Sequence, residues 1–359
     1  MVVAEEYQPV AYQAVVKQIL ESGTKSTDGQ EYRFQKLQLE ITNKEEKGKL
    51  VEVTTDYQLQ TQARIYEIGD QLMLNKNRDY STGEDFYVIA DVIRLPVLYA
   101  LFALFVLVVL VTAGVWGLRS LIAMIISFVI IFTLLLPQIM AGHDPVLVSI
   151  LSAFLLLPTI FFISHGFNAK TFLALGATFV GLLFSIFMAQ LFVHLASLTG
   201  YASEEAGFLQ VEKNGSINIQ ALLLAGIVIG TFGILDDVAV SQVSVVEQIF
   251  SLRPESTIGQ LYHKAMKVGQ DHISSMINTL VLVYAGGSLA LLLLFLDSSK
   301  SITEILNQEI VAEEIVKTLI GSITLVLIAP ISTLVAAWYY AKYAKPIPPD
   351  ELPEIVHQH

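Results

Sequence analysis

From Leu95 onward the apolar residues run in long blocks, and before it they alternate singly with polar ones. The blocks are 95–117, 120–140, 144–164, 171–196, 218–237, 273–296 and 318–341, and the first two hold no charged residue. About 20 apolar residues in a helix cross a bilayer, so the pattern predicts a polytopic α-helical membrane protein with about seven transmembrane helices. Core helices of a soluble protein do not recur at that number and spacing. Ahead of the blocks, Leu37, Leu39 and Ile41 alternate with Lys36, Gln38 and Glu40, and Val51 and Val53 with Glu52 and Thr54. That is the two-residue period of strands. Candidate strands fall at 11–20, 31–42, 50–55, 71–75 and 86–93. Turn signals stand at Ser22-Gly23, Asp28-Gly29, Lys47-Gly48, Gly69-Asp70 and Thr82-Gly83. Five short strands predict a small β-barrel, OB-like or SH3-like. The expected organisation is a β-rich domain at 1–94, a transmembrane domain at 95–345 with a cytoplasmic connector at 247–270, and a Pro-rich tail at 346–359.

Charge sharpens this division. Only 15% of residues are charged and mean hydropathy is +0.61. Residues 1–94 hold 11 of the 21 Lys and Arg and 16 of the 33 Asp and Glu, so the net charge of −12 is shared by both parts. Neither part has the basic stripe of a nucleic-acid binder. The absence of cysteine removes disulfides and thiolate chemistry. Short loops set orientation through their cations. Arg119, Lys170, Arg253, Lys264, Lys267, Lys342 and Lys345 lie in odd-numbered loops or the tail, against Lys213, Lys300 and Lys317 in even ones. This places the odd loops and the C-terminus in the cytoplasm and the β-domain outside. Met1 to Val16 lacks the apolar core of a signal peptide, so a missing or removed leader is expected.

Chemistry concentrates on the fifth and sixth spans. Gly226, Gly230 and Gly233 share one helical face and predict close helix packing. Asp236 and Asp237 follow at the span's cytoplasmic end. Beyond them Asp237, Ser241, Ser244 and Gln248 recur at helical spacing, beside a stripe of Asp236, Val240, Val243 and Glu247, so the helix is expected to continue with a polar seam. Past Pro254, Ile258 to Val268 reads as amphipathic and interfacial. The sixth span opens with Asp271 and His272, and carries Ser275, Asn278 and Thr279 on neighbouring faces. Two polar seams at one depth can relay protons, bind a cation, or join helices by hydrogen bonds. Asp236, Asp237, Asp271, His272 and His165 could ligate a metal, but no HExxH spacing occurs, and no catalytic residue or metal site is assigned. Asp144 before Pro145 reads as a helix-start carboxylate. Pro330 predicts a kink, with Ser332 and Thr333 bonding the freed carbonyls. No Walker A, Rossmann or GxSxG motif is present, and no cofactor is expected.

A family resemblance rests on several of these segments. The run from Gly233 through Asp236-Asp237-Val238-Ala239-Val240-Ser241 to Ser244 is one. The others are Gly269-Gln270-Asp271-His272-Ile273 and Ile277-Asn278-Thr279-Leu280, with Leu136 to Gly142 and His165 to Thr171 in support. On these the chain resembles the YibE/F family of bacterial integral membrane proteins, whose layout also places a β-rich head before the first span. The resemblance implies a multi-pass protein of the bacterial inner membrane. The hairpin of the fifth and sixth spans is also similar in pattern to the membrane halves of proton-driven RND-type exporters, an analogy of fold that transfers no function by itself.

The expected function is therefore a proton- or cation-coupled secondary transporter or permease. Its partners would be the lipid bilayer and a small solute or cation, with no nucleic acid. The alternative is a non-transporting envelope scaffold whose residues 1–94 recruit a protein partner. An intramembrane enzyme is disfavoured because no nucleophile or ligand motif appears.

Overall fold

The computed structural model describes residues 10–27, 30–56, 65–79, 83–296 and 300–344. Asp28-Gly29, Thr82, Asp297, Lys345 and the tail 346–359 lie outside them. Two compact units emerge, Met1–Val108 and Val109–His359.

The first unit holds all five expected strands: β1 (Val10–Thr27), β2 (Gln30–Ile41), β3 (Leu50–Asp56), β4 (Gln71–Arg78) and β5 (Asp85–Val92). They form one antiparallel half-barrel sheet in the order β3-β2-β1-β4-β5. β1 serves two partners, pairing β4 from Val10 to Val15 and β2 from Ala14 to Thr27. Register shifts between Val16 and Gln18 and between Ile19 and Glu21 increase its twist. Every second residue then points inward, so Ala14, Val16, Leu37, Leu39, Ile41, Leu72 and Leu74 are almost completely buried. Ser22-Gly23 is not a turn. It continues β1 opposite Gln35 and Phe34, and the glycine fits because a Cβ there would stand 3.1 Å from the Phe34 ring. β1 runs on to Thr27 before β2 begins at Gln30, and farther along Gly48, between β2 and β3, and Gly69, between β3 and β4, take φ of 89° and 98°, values that suit glycine.

Gln35 secures a segment that is not a strand. Its buried side chain donates from Nε2 to the Tyr66 carbonyl at 3.1 Å and accepts from the Tyr66 N–H at 2.8 Å. The amide thus supplies the pair of bonds a neighbouring strand would have given. The Thr55 hydroxyl bonds the Gln35 backbone N–H and carbonyl, each at 3.0 Å.

In the helical part, α1 (Leu95–Ile130), a π-helical turn (Ile131–Leu135) and α2 (Leu136–Met140) run on as one stretch of 46 residues covering the first two expected spans. Gly114 breaks it with φ 54° and ψ −129°. The bend is so sharp that a Cβ on Gly117 would lie 2.7 Å from the Val109 carbonyl oxygen. Eight residues of straight helix would separate them by about 12 Å.

The remaining helices are α3 (Pro145–His165), α4 (Ala169–Leu195), α5 (Glu204–Glu212), α6 (Ile219–Leu252), α7 (Ile258–Gly287), α8 (Leu289–Leu296), α9 (Ile302–Leu306) and α10 (Glu309–Tyr343). Side chains start most of them: Asp144 accepts from the Leu147 N–H, Asn168 from Thr171, Ser203 from Ala206 and Asn218 from Ala221. Thr257 and Gln260 form a reciprocal capping box. Each satisfies a donor that the first helical turn leaves open.

Among the described residues five helices are long and apolar enough to cross a membrane, or six where α7 and α8, bent by 68° at their junction, count as one broken span. Three boundaries move relative to the apolar blocks. α6 continues 15 residues beyond Asp237 to Leu252, as its polar seam indicated. The 247–270 connector is divided between the end of α6 and the first turns of α7, where Leu261 and Ala265 pack into the core with Val246 and Phe250. α10 begins at Glu309, nine residues ahead of the 318–341 block, so Lys317, assigned to a loop, is helical together with Glu309, Glu313 and Glu314. Pro330 does lie inside α10, but Ser332 and Thr333 bond the carbonyls of Ile328 and Ala329. The carbonyl freed by the missing Pro330 N–H is that of Val326, four residues back.

Candidate functional site

α6 is the helix around which the site is built, because it packs against α3, α4, α7 and α10. Its apolar stripe, with Leu235, Val238, Ala239, Val243 and Val246 fully buried, faces the core. Gln242 lies in the same stripe and is equally buried. Its Oε1 accepts from the Thr333 hydroxyl of α10 at 3.0 Å, while Nε2 finds no hydrogen-bond partner. The amide also presses on α7, since a Cβ on Gly269 would stand 2.8 Å from it. His272 follows Gly269 by nearly one turn, and its Nε2 is likewise buried without a partner. Three helices thus meet around the Gln242 amide, whose nitrogen no neighbour satisfies. An unpaired buried amide costs about 1–3 kcal/mol.

The seams read from the sequence take up separate positions around this point. Asp236 is half-buried and accepts from the Asp237 N–H at 2.9 Å, whereas Asp237 is exposed. Asp237 lies within electrostatic reach of His165 at the end of α3. Ser241 and Ser244 are half-buried, and Ser244 bonds its own helix at the Val240 carbonyl, 2.8 Å away. On α7, Asp271, Ser275, Asn278 and Thr279 are exposed or only partly covered, and the Thr279 hydroxyl bonds the Ser275 carbonyl at 3.0 Å. Among the described residues no hydrogen bond or ion pair joins these α6 side chains to these α7 side chains.

Nor do the three glycines of α6 meet a helix backbone. Open space surrounds the Cβ positions of Gly226 and Gly233, and Gly230 faces only the Tyr284 hydroxyl at 4.0 Å. Close approach occurs at Gly181 of α4, where a Cβ would stand 2.9 Å from Ile328 and 3.3 Å from Leu235, and at Gly269.

A second polar group, five residues past Gln242, ties the C-terminal end of α6. Glu247 accepts from the Tyr340 hydroxyl of α10 at 2.8 Å and lies 3.6 Å from Lys170 of α4. Among the described residues no three His, Asp or Glu side chains converge as metal ligands.

Sequence reasoning passed over two residues. Gln242 stands alone in a valine-rich run, and its signal was an uncharged polar side chain on the apolar stripe of the helix. Glu313 was hidden in an acidic run, and its signal was the four-residue spacing of Glu309, Glu313 and Lys317. The Glu313 side chain is only 8% exposed and its Oε1 has no hydrogen bond.

The polar cluster of the β-domain is built differently. Glu46 lies 2.6 Å from Lys76 and 3.0 Å from Lys49, and accepts from the Tyr87 hydroxyl. Lys76 also reaches Asp85 at 2.9 Å. Hydrogen bonds from Lys76 and then Tyr87 hold the Glu46 carboxyl down at about 2.

The model of the YibE/F-like protein family matches residues 101–342 of the chain. No curated protein and no solved structure compared with it gives a match.

Proposed function

The chain belongs to the YibE/F-like family, and from that premise we propose that this membrane protein is a secondary transporter or permease driven by a proton or cation gradient. The observation that carries the reading is Gln242 Nε2, buried without a partner where α6, α7 and α10 meet, and a second unpartnered buried atom, His272 Nε2, nearly one turn past Gly269 on α7. Polar groups inside a membrane bundle are costly, and ionisable ones among them mark solute or ion paths by default. Helix adhesion would have paired them, as it pairs Thr333 with the Gln242 carbonyl oxygen. In this reading Asp236, Asp237, Asp271 and Asn278 line the approaches to that point, and no catalytic step is involved.

The same reading implies a topology. Leu95–Met140 counts as two crossings, because 46 helical residues would extend about 69 Å against a hydrocarbon thickness of about 30 Å. With the broken α7–α8 span this makes seven. The cation bias then puts the β-domain outside and the C-terminus in the cytoplasm of a bacterium. A long β1 shared by two hairpins favours the OB-like form of the half-barrel over the SH3-like one.

Reconstitution tests the proposal. Proteoliposomes under a proton gradient should show solute or cation flux, and Asp237→Asn and Asp271→Asn should each lower it about tenfold or more. Flux absent for every solute class, or unchanged in both variants, overturns it. The scaffold reading has its own observation, the exposed Phe86 and Val88 on β5. Crosslinks from that strand to a second protein, in membranes where no flux is found, would favour it.

A further inference from the structure

A cavity of about 500 Å³ opens among α6, the break between α7 and α8, and the first turns of α10, far along α6 from Gln242. Its walls are largely apolar, including Leu222, Leu223, Leu291 and Ile310, and it carries three charged side chains, Glu313, Glu314 and Lys317. The size lies in the range of small-molecule sites, which join an apolar lining to a few placed polar groups.

The carboxylates of α10 are not equivalent. Glu309 accepts from the Thr199 hydroxyl at 2.7 Å, the Gly200 N–H at 3.1 Å and the Thr199 N–H, so it is consumed in tying down a loop. Lys317 commits itself to Glu314 at 2.9 Å and stands 3.7 Å from the Oε2 of Glu313. Glu313 lies one turn from each of Glu309 and Lys317, more than nine-tenths buried, with Oε1 lacking any hydrogen bond. A buried carboxylate oxygen without a donor needs one. The cavity wall carries one net negative charge, and the rest of its lining is mostly apolar, with Ser203 and Ser288 as its neutral polar side chains.

We propose that this cavity binds an organic ammonium group, which donates N–H bonds to Glu313 while its carbon body lies against the apolar wall. The inference deepens the transport reading by naming the substrate's chemistry and rests on that reading for its consequence. The ammonium can belong to a free alkylamine or to the ethanolamine headgroup of a phospholipid. Gly226 supplies the means of blocking the site, because it lines the cavity and has open space at its Cβ position.

The test is binding of n-butylammonium to the purified full chain in detergent, followed by thermal shift and calorimetry. The expected result is a saturable rise in Tm. Glu313→Gln should weaken binding about tenfold or more, an effect of a lost charged bond, and Glu314→Gln should change it less than about threefold. If Glu313→Gln does not fold, Gly226→Leu should abolish binding by filling the cavity. Competition by micelles containing phosphatidylethanolamine, but not phosphatidylglycerol, assigns the lipid headgroup as the source, and competition by neither assigns a free amine. No shift with n-butylammonium, a shift given only by Na⁺ or K⁺, or equal binding by wild type and both the Glu313→Gln and Gly226→Leu variants overturns the proposal. Binding is read without flux, so a saturable site in a protein that moves nothing would defeat the transport reading and leave the ammonium site standing.

Discussion

The β-domain and the helical unit treat buried polarity in opposite ways. In the β-domain the buried Gln35 amide has both its ends bonded to Tyr66, and Glu46 answers two lysines and a tyrosine. Among the described residues, each buried side-chain polar atom left without a partner lies in the helical unit: on Ser149, Ser185, Gln210, Gln242, His272 and Glu313. Paired groups add stability, and unpaired ones subtract from it. The difference assigns the first unit the part of a rigid module and the second the part of a molecule that keeps unspent hydrogen-bonding capacity.

The largest effect should come from breaking the paired side. Gln35→Ala strands the N–H and carbonyl of Tyr66 in a buried site and should cost about 3 kcal/mol, read as faster hydrogen exchange of β2 and β3 amides in the full chain. Equal exchange in variant and wild type would remove Gln35 from the framework. Acid should have a smaller, graded effect. The ordinary Glu46 value of 4.5 is lowered to about 2 by folding, so its contribution is complete above about 4.5 and disappears as pH falls toward 2. Exchange of β4 and β5 amides, referenced to unstructured peptide rates, should rise across that window, and Glu46→Gln should flatten the rise.

On the unpaired side the sign changes. Gln242→Met keeps the volume and removes the unsatisfied N–H, so stability should move by less than about 1 kcal/mol, while flux in proteoliposomes falls about tenfold. A large loss of stability with intact flux would make Gln242 a structural tie and erase the contrast. The smallest effect is expected at the exposed Lys17–Glu40 pair, 2.6 Å apart at the sheet surface. Glu40→Gln there should change Tm by an amount equivalent to less than about 0.5 kcal/mol.

Much of this architecture could be read from the chain, and the reasons are local. Strands β2 and β3 announce themselves because one face is buried and the other wet, as Leu37, Leu39, Val51 and Val53 show. The apolar blocks are legible because lipid admits little else. The length of β1 was not legible. Ser22-Gly23 has turn chemistry, and only the partner residue Phe34 reveals why glycine stands in a strand. Helix ends beyond the apolar blocks were half legible: α6 could be continued from its seam, but the start of α10 was masked by charge. The site was least legible where it mattered most. Whether a polar residue is paired depends on neighbours distant in sequence, such as Thr333, 91 positions from Gln242. No spacing rule records that.

The way the helices begin decides how a membrane-embedded bundle meets acid. Among the described helices Asn168, Ser203, Asn218 and Thr257 start theirs with amides and hydroxyls, while Asp144 and the Ser301–Glu304 capping box of α9 use a carboxylate, which takes up a proton. Four of these six anchors are therefore indifferent to acid on either side of the bilayer. Protonation can act on the interior without untying the ends, so the rods keep their phase while their contents change charge.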